Sequence, residues 1–147
     1  MKLGDIQDKF IKHALEFTPV DCCAEAIVKI TQNNPKFTVL HIFNNNFIGI
    51  SDVLETLRQM EEKIELVSDE EFKNKINFAL KDKILKNEIN GIITDLDENK
   101  LLNLINSIIP NCDFTQKYLE TIGFKWPQID KEYIRKYVEY FKKIKYI

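Results

Sequence analysis

Asp95, Asp97 and Asn99 stand at alternate positions, the spacing with which a calcium-binding loop begins. Such a loop needs glycine at its sixth position and a bidentate glutamate at its twelfth. Here those positions hold Lys100 and Asn106, so calcium is set aside. His13 and His41 have no partner at metal-ligand spacing, and no metal is expected. His41 falls within an apolar run and reads as a hydrogen-bonded core or interface histidine. Cys22 and Cys23 adjoin in what looks like a first helical turn, where the helix dipole favours a thiolate. No histidine stands at a telling spacing from them, so packed thiols are expected. None of these groups is assigned a catalytic role.

The stretch Leu15 to Ile30, LEFTPVDCCAEAIVKI, must position whatever site there is. Leu15 to Phe17 reads as the end of a strand. Thr18 is placed as an N-cap, Pro19 as the first helical residue and Asp21 as the acidic partner of a capping-box variant. Val20, Cys23, Ala24, Ile27 and Ile30 then recur at helical spacing and predict one buried face.

Further on, Phe37 to Phe43 is rich in β-branched and aromatic residues and predicts a covered strand. Asn44, Asn45 and Asn46 form a turn, and Ser51 caps a helix carrying Val53, Leu54, Leu57 and Met60. Ile64 to Val67 is a short strand. Ser68 to Glu71 is a capping box opening a helix through Phe72 and Ile76. Lys81 to Asn90 continues as helix, and Leu101 to Ile108 is a further one. Thr115 caps a helix ending at Gly123, and Asp130 caps the last, which runs to about Lys143. The fold class expected is α+β and predominantly helical, with about three short strands in the first half and a helical second half.

Residues 1–147 read as a single domain, with no repeat and no linker. A net charge of −2 argues against nucleic-acid binding. No apolar run reaches the about 20 residues that span a bilayer, and no membrane partner is expected. Three cysteines, two of them adjacent, make no disulfide framework, which suggests a reduced, cytoplasmic setting. The last helix sets Lys131, Arg135, Lys136, Lys142, Lys143 and Lys145 against an apolar face, a pattern suited to a solvated terminal helix.

TPVD followed by a small-residue helix resembles the strand–turn–helix in the C-terminal half of thioester reductase domains. These are extended short-chain dehydrogenases that terminate nonribosomal peptide synthetases. HIFNNNFIGISDVL, then IELVSDEEFKNKI, then DFTQKYLETIGFKWPQIDKEYIRKYVEYF are similar to that family in order, and Leu3-Gly4 stands where the family has an LG segment. The resemblance implies the C-terminal, substrate-binding lobe of such a dehydrogenase without its Rossmann half. Gly4, Gly49, Gly91 and Gly123 are isolated, so the G-x-x-G-x-x-G cofactor fingerprint is missing. The family's Tyr-x-x-x-Lys pair is missing too. Four residues after Tyr118, Tyr133, Tyr137 and Tyr140 stand Ile122, Tyr137, Phe141 and Ile144. The chain alone is therefore expected to bind no cofactor and to be inactive, with NADPH held by the complete domain. The partners implied are the missing Rossmann half and an acyl or peptidyl carrier protein, with self-association through an uncovered Phe37–Phe43 strand a further expectation. The residues expected to line the substrate channel are Thr18, Pro19, Val20 and Asp21 with Asn44, Asn45, Asn46 and Phe47, because loops at strand ends face the ligand crevice. The alternatives are a stand-alone helical module that docks carrier proteins and the lobe of a fatty acyl-CoA reductase or epimerase.

Overall fold

A computed structural model describes residues 4–36, 39–102 and 111–146. In chain order the elements are β1 (Asp5–Gln7), a 3-10 turn (Asp8–Lys12), β2 (Ala14–Leu15), α1 (Val20–Gln32), β3 (Ile48–Gly49), α2 (Ile50–Gln59) and β4 (Glu65–Val67). There follow α3 (Asp69–Lys81), α4 (Lys83–Glu88), α5 (Asn90–Ile93), α6 (Asp113–Thr121) and α7 (Lys131–Lys143). The architecture is α+β and predominantly helical. None of these helices is long and apolar enough to cross a membrane.

The chain divides into two compact units, each built from two separated stretches. The first takes the chain up to His13 and Ile50–Ser107. Its strands β1 and β4 run parallel, with Asp5, Ile6 and Gln7 opposite Glu65, Leu66 and Val67. Strand β1 has no counterpart in the sequence reading, because its alternation is short and two of its three residues are polar. Gln7 is nonetheless fully buried. Its Oε1 accepts from the Leu102 amide at 2.9 Å, and its Nε2 donates to Asp69. Lys75 ties α3 to the same strand through Asp5 at 3.0 Å and to Glu71 at 3.1 Å. The core gathers Val67, Phe72, Ile76, Ala79, Leu85 and Ile89. Ser68 caps α3 as expected, its hydroxyl accepting from the Glu71 amide at 3.2 Å. Asp82 starts α4 in the same way, accepting from the Ile84 and Leu85 amides.

Other expectations in this unit are corrected. Helix α2 begins at Ile50, so Ser51 lies inside it rather than capping it. Leu101 and Leu102 are not helical. Leu102 bridges antiparallel to Leu96, and residues 103–108 of the expected helix lie outside the described residues. Asp97, from the calcium-like spacing, accepts from the Asn99 and Leu101 amides and closes a turn.

The second unit holds Ala14–Gly49 and the chain from Ile108 onward. Strands β2 and β3 pair antiparallel, Ala14 with Gly49 and Leu15 with Ile48. Helices α1 and α6 pack around Ala26, Ile30, Leu119, Phe124 and Trp126. Phe124 and Trp126 meet edge to face at 5.0 Å. Gly123, with a φ of +74°, ends α6 in the left-handed conformation that glycine adopts without a Cβ penalty. Asp130 caps α7 as expected, accepting from the Tyr133 amide at 2.8 Å. On α7 the buried apolar residues are Ile134 and Val138, whereas Tyr137 is exposed, as is Ile144 at the helix end.

Three expectations in this unit are corrected as well. The covered strand Phe37–Phe43 is not a strand among its described residues. Val39–Phe43 joins no ladder, and its backbone is held by side chains instead. The His41 amide donates to Thr115 Oγ1 at 3.2 Å, and Gln116 Nε2 donates to the Phe43 carbonyl at 2.9 Å. For that reason Thr115 lies buried inside α6 rather than capping it. The His41 residue itself is exposed, not part of the core.

Two glycines separate the roles this residue plays. A Cβ on Gly4 would stand 2.0 Å from the Lys63 carbonyl oxygen, where the chain enters the parallel pair. Gly91, in α5, has open space around it. Gly4→Ala is expected to lower stability by about 1–3 kcal/mol through forced backbone displacement, whereas Gly91→Ala should raise it by about 0.5–1 kcal/mol. Urea unfolding of the two variants checks both signs.

Candidate functional site

The second unit brings the two predicted loops together around Asn44, which is fully buried. Its side-chain Nδ2 carries two hydrogens, and both are used. One goes to the Phe17 carbonyl at 3.0 Å and one to the Pro127 carbonyl at 3.2 Å. Its Oδ1 accepts from the Asn46 amide at 3.0 Å, and its own amide donates to Thr18 Oγ1 at 2.8 Å. Asn46 adds a second bond to Pro127, Nδ2 to carbonyl at 3.0 Å. One side chain thus joins the approach to α1, the asparagine turn and the segment before α7.

This bonding explains a departure from the sequence reading. Thr18 is not the N-cap of α1. Its hydroxyl accepts from Asn44 and donates to Glu16, so the helix starts one residue later. Pro19 occupies the cap position, with a φ of −61° and no side-chain cap bond. The first helical bond runs from the Cys23 amide to the Pro19 carbonyl at 2.9 Å. Asp21 accepts from the Cys22 amide at 2.9 Å, in the first turn where its charge suits the helix dipole.

The remaining site candidates form the exposed rim. Val20 is 84% exposed, Asn45 and Asp21 are exposed, and Phe47 is 40% exposed. The buried face of α1 is Ala26 and Ile30 with Cys22 and Cys23 packed partly against the core, not the expected set that included Val20, Ala24 and Ile27.

Two members of the neighbourhood are not among the expected site residues. Pro127 contributes through a backbone carbonyl, which carries no side-chain signal. Tyr133 packs edge to face on Phe17 at 6.4 Å and donates its hydroxyl to Tyr137 at 3.1 Å. Partial burial and that donated bond push the Tyr133 phenol well above its ordinary value. The Cys22 thiol is also raised, by burial and then by the Asp21 charge beside it, so it stays protonated at neutral pH and is a poor nucleophile.

The carbonyls and amides of this corner bond one another, and the groups left open to solvent are those of Val20, Asp21, Asn45 and Phe47. Among the described residues no group of three or more His, Cys, Asp or Glu is placed to hold a metal. Among the described glycines, a Cβ on Gly4 would meet the Lys63 carbonyl, and one on Gly91 or Gly123 would meet nothing within 4 Å.

No family model and no curated protein matches the chain. Solved structures do. The chain is similar over 99% of its length, with a TM-score of 0.72 and 26% identity, to a thiolation-reductase di-domain from an archaeal non-ribosomal peptide synthetase. It is similar over 97% of its length, with a TM-score of 0.63 and 27% identity, to the reductase domain of the aureusimine biosynthetic cluster. The resemblance found in the sequence is borne out: the chain has the fold of part of a nonribosomal peptide synthetase reductase. It spans 29% and 35% of the length of those two structures.

Asn44→Ala would remove the side-chain donor to the Phe17 carbonyl and leave the Pro127 carbonyl with Asn46 alone, and is expected to cost about 3 kcal/mol. Asn45→Ala, on the exposed rim, should stay within about 0.5 kcal/mol. Chemical denaturation distinguishes them. Alkaline titration tests Tyr133. Both states keep the phenol proton below its ordinary pKa of 10.0. Above that pH the unfolded chain ionises first and stability falls until the folded-state phenol titrates as well. Tyr133→Phe should flatten that alkaline decline while leaving the neutral-pH slope unchanged.

Proposed function

We infer that this chain is the substrate-binding lobe of an NADPH-dependent thioester reductase, acting in nonribosomal peptide synthesis in the cytoplasm. The whole domain would take an acyl or peptidyl chain from the phosphopantetheine arm of a carrier protein and release it as an aldehyde, or as an alcohol after a second reduction. The observation that carries the reading is the similarity to a thiolation-reductase di-domain along 99% of the chain.

Within this scheme the Asn44 corner has a defined task. It fixes the exposed Pro19–Asp21 turn and the Asn45–Phe47 loop on one rigid base, so that Val20 and Phe47 offer apolar contact to the acyl chain. Asp21 and Asn45 offer polar partners to the amides of the pantetheine arm. Hydride transfer falls to the Rossmann half, because this chain has neither the glycine cradle nor a Tyr-x-x-x-Lys pair. NADPH is a ligand of the complete domain, not of this lobe.

Titration of the labelled chain with an S-acyl pantetheine, followed by amide chemical shifts, tests this. Changes should concentrate at residues 18–21 and 44–47, and NADPH alone should produce none. Shifts confined to other segments, or saturable NADPH binding by this chain, would overturn the reading.

A further inference from the structure

Tyr133 and Tyr137 stand one turn apart on α7, at the edge of the Asn44 corner. Tyr133 packs on Phe17, whose carbonyl accepts from Asn44 and which leads directly into the Thr18–Asp21 turn. The two phenol rings lie 4.9 Å apart, and the Tyr133 hydroxyl donates to that of Tyr137 at 3.1 Å. Burial and then this bond hold the Tyr133 proton in place, and the Cys22 and Asp21 groups add to them. The pair therefore stands within electrostatic reach of the first turn of α1.

A phenol has one hydrogen to give and lone pairs to receive another. Tyr133 gives its hydrogen to Tyr137, and among the described residues nothing accepts the hydrogen of Tyr137 in turn. Tyr137 is 42% exposed, so that donor is open to a ligand. A hydroxyl that receives a hydrogen bond donates more strongly, because bonds in a chain polarise one another. Fixing an exposed ring also costs rotamer freedom, which hydration of Tyr133 alone would spare. The acceptor this donor suits is neutral, since the Asp21 carboxylate nearby disfavours a phosphate or a carboxylate. Asp21 takes the Cys22 amide on Oδ1 at 2.9 Å and keeps its other oxygen for a ligand N–H. An amide supplies both groups, a neutral carbonyl and an N–H.

We propose that the Tyr137 hydroxyl is a further binding group of this lobe, donating to an amide carbonyl of the ligand, with Tyr133 as the positioning residue that aims and polarises it. This inference rests on the reductase reading and deepens it. The amide belongs either to the pantetheine arm or to the backbone of a peptidyl chain, and the chemistry recognised is the same in both.

The test titrates the labelled chain, Tyr137→Phe and Tyr133→Phe with thioesters that differ in where their amides lie. S-hexanoyl pantetheine has them only in the arm, a tripeptidyl ethyl thioester only in the acyl part, and ethyl thiohexanoate has none. Tyr137→Phe should weaken an amide-bearing thioester about five- to tenfold and Tyr133→Phe about twofold. The amide-free thioester should bind all three proteins alike. A loss seen with the pantetheine alone assigns the bond to the arm, and a loss with the peptidyl thioester alone assigns it to the peptide; either supports the proposal. Equal affinity of wild type and Tyr137→Phe for both amide-bearing thioesters overturns it. So does an equal loss for the amide-free thioester, which would mark a general disturbance of the corner. In both of those cases the wild-type shifts at residues 18–21 and 44–47 persist and the reductase reading stands. Absence of those shifts in the wild-type chain would remove the reading and this inference together.

Discussion

The second unit depends on the amide of Asn44. A buried primary amide must find two acceptors for its hydrogens and a donor for its oxygen, and an unfilled position costs more than the bond itself contributes. Asn44 fills all three with main-chain groups from Phe17, Pro127 and Asn46. These groups are far apart in sequence, so the amide sets where three segments meet. An aspartate could not donate, and a glutamine would place the amide one methylene further out. The candidate site inherits its geometry from this requirement, since the exposed residues on either side are carried by backbone the amide holds.

Much of the fold could be read from local chemistry. Ser68 and Asp130 were legible as caps because each bond spans three residues and needs nothing from the rest of the chain. Gly123 was legible as a helix end for the same reason. The misreadings share the opposite cause. Thr18 and Thr115 both look like caps, but each hydroxyl is taken by a distant amide, of Asn44 and His41 respectively. Phe37–Phe43 has the composition of a strand, yet a ladder requires a second strand, and composition says nothing about whether one is supplied. Strand β1 failed in reverse, being too short and polar to signal itself until β4 gave it a partner.

The candidate site divided along the same line. Its two loops were found because asparagine runs and a proline-led helix start are conspicuous. That they touch was not readable, since contact rests on a hydroxyl and an amide separated by the whole of α1. The carbonyl of Pro127, which receives two amides, was beyond reach of any side-chain pattern. Solved structures supplied what family models and curated sequences did not, which fits a chain that keeps a fold at about one residue in four.

The interleaving of the two units bears on biogenesis. The first unit needs strand β1 from the start of the chain and β4 after the excursion through Ala14–Gly49, and the second unit needs α6 and α7 from the end. Neither unit is a contiguous stretch, so a nascent chain emerging from the ribosome completes neither until most of it has been made. The parallel pair between β1 and β4 closes a long loop, which raises contact order and slows the search. Until Pro127 emerges, Asn44 lacks one of its acceptors and the asparagine turn is held only through Phe17 and Thr18. A truncation before α6 would strand residues 14–49 without half of their core while leaving both stretches of the first unit in place.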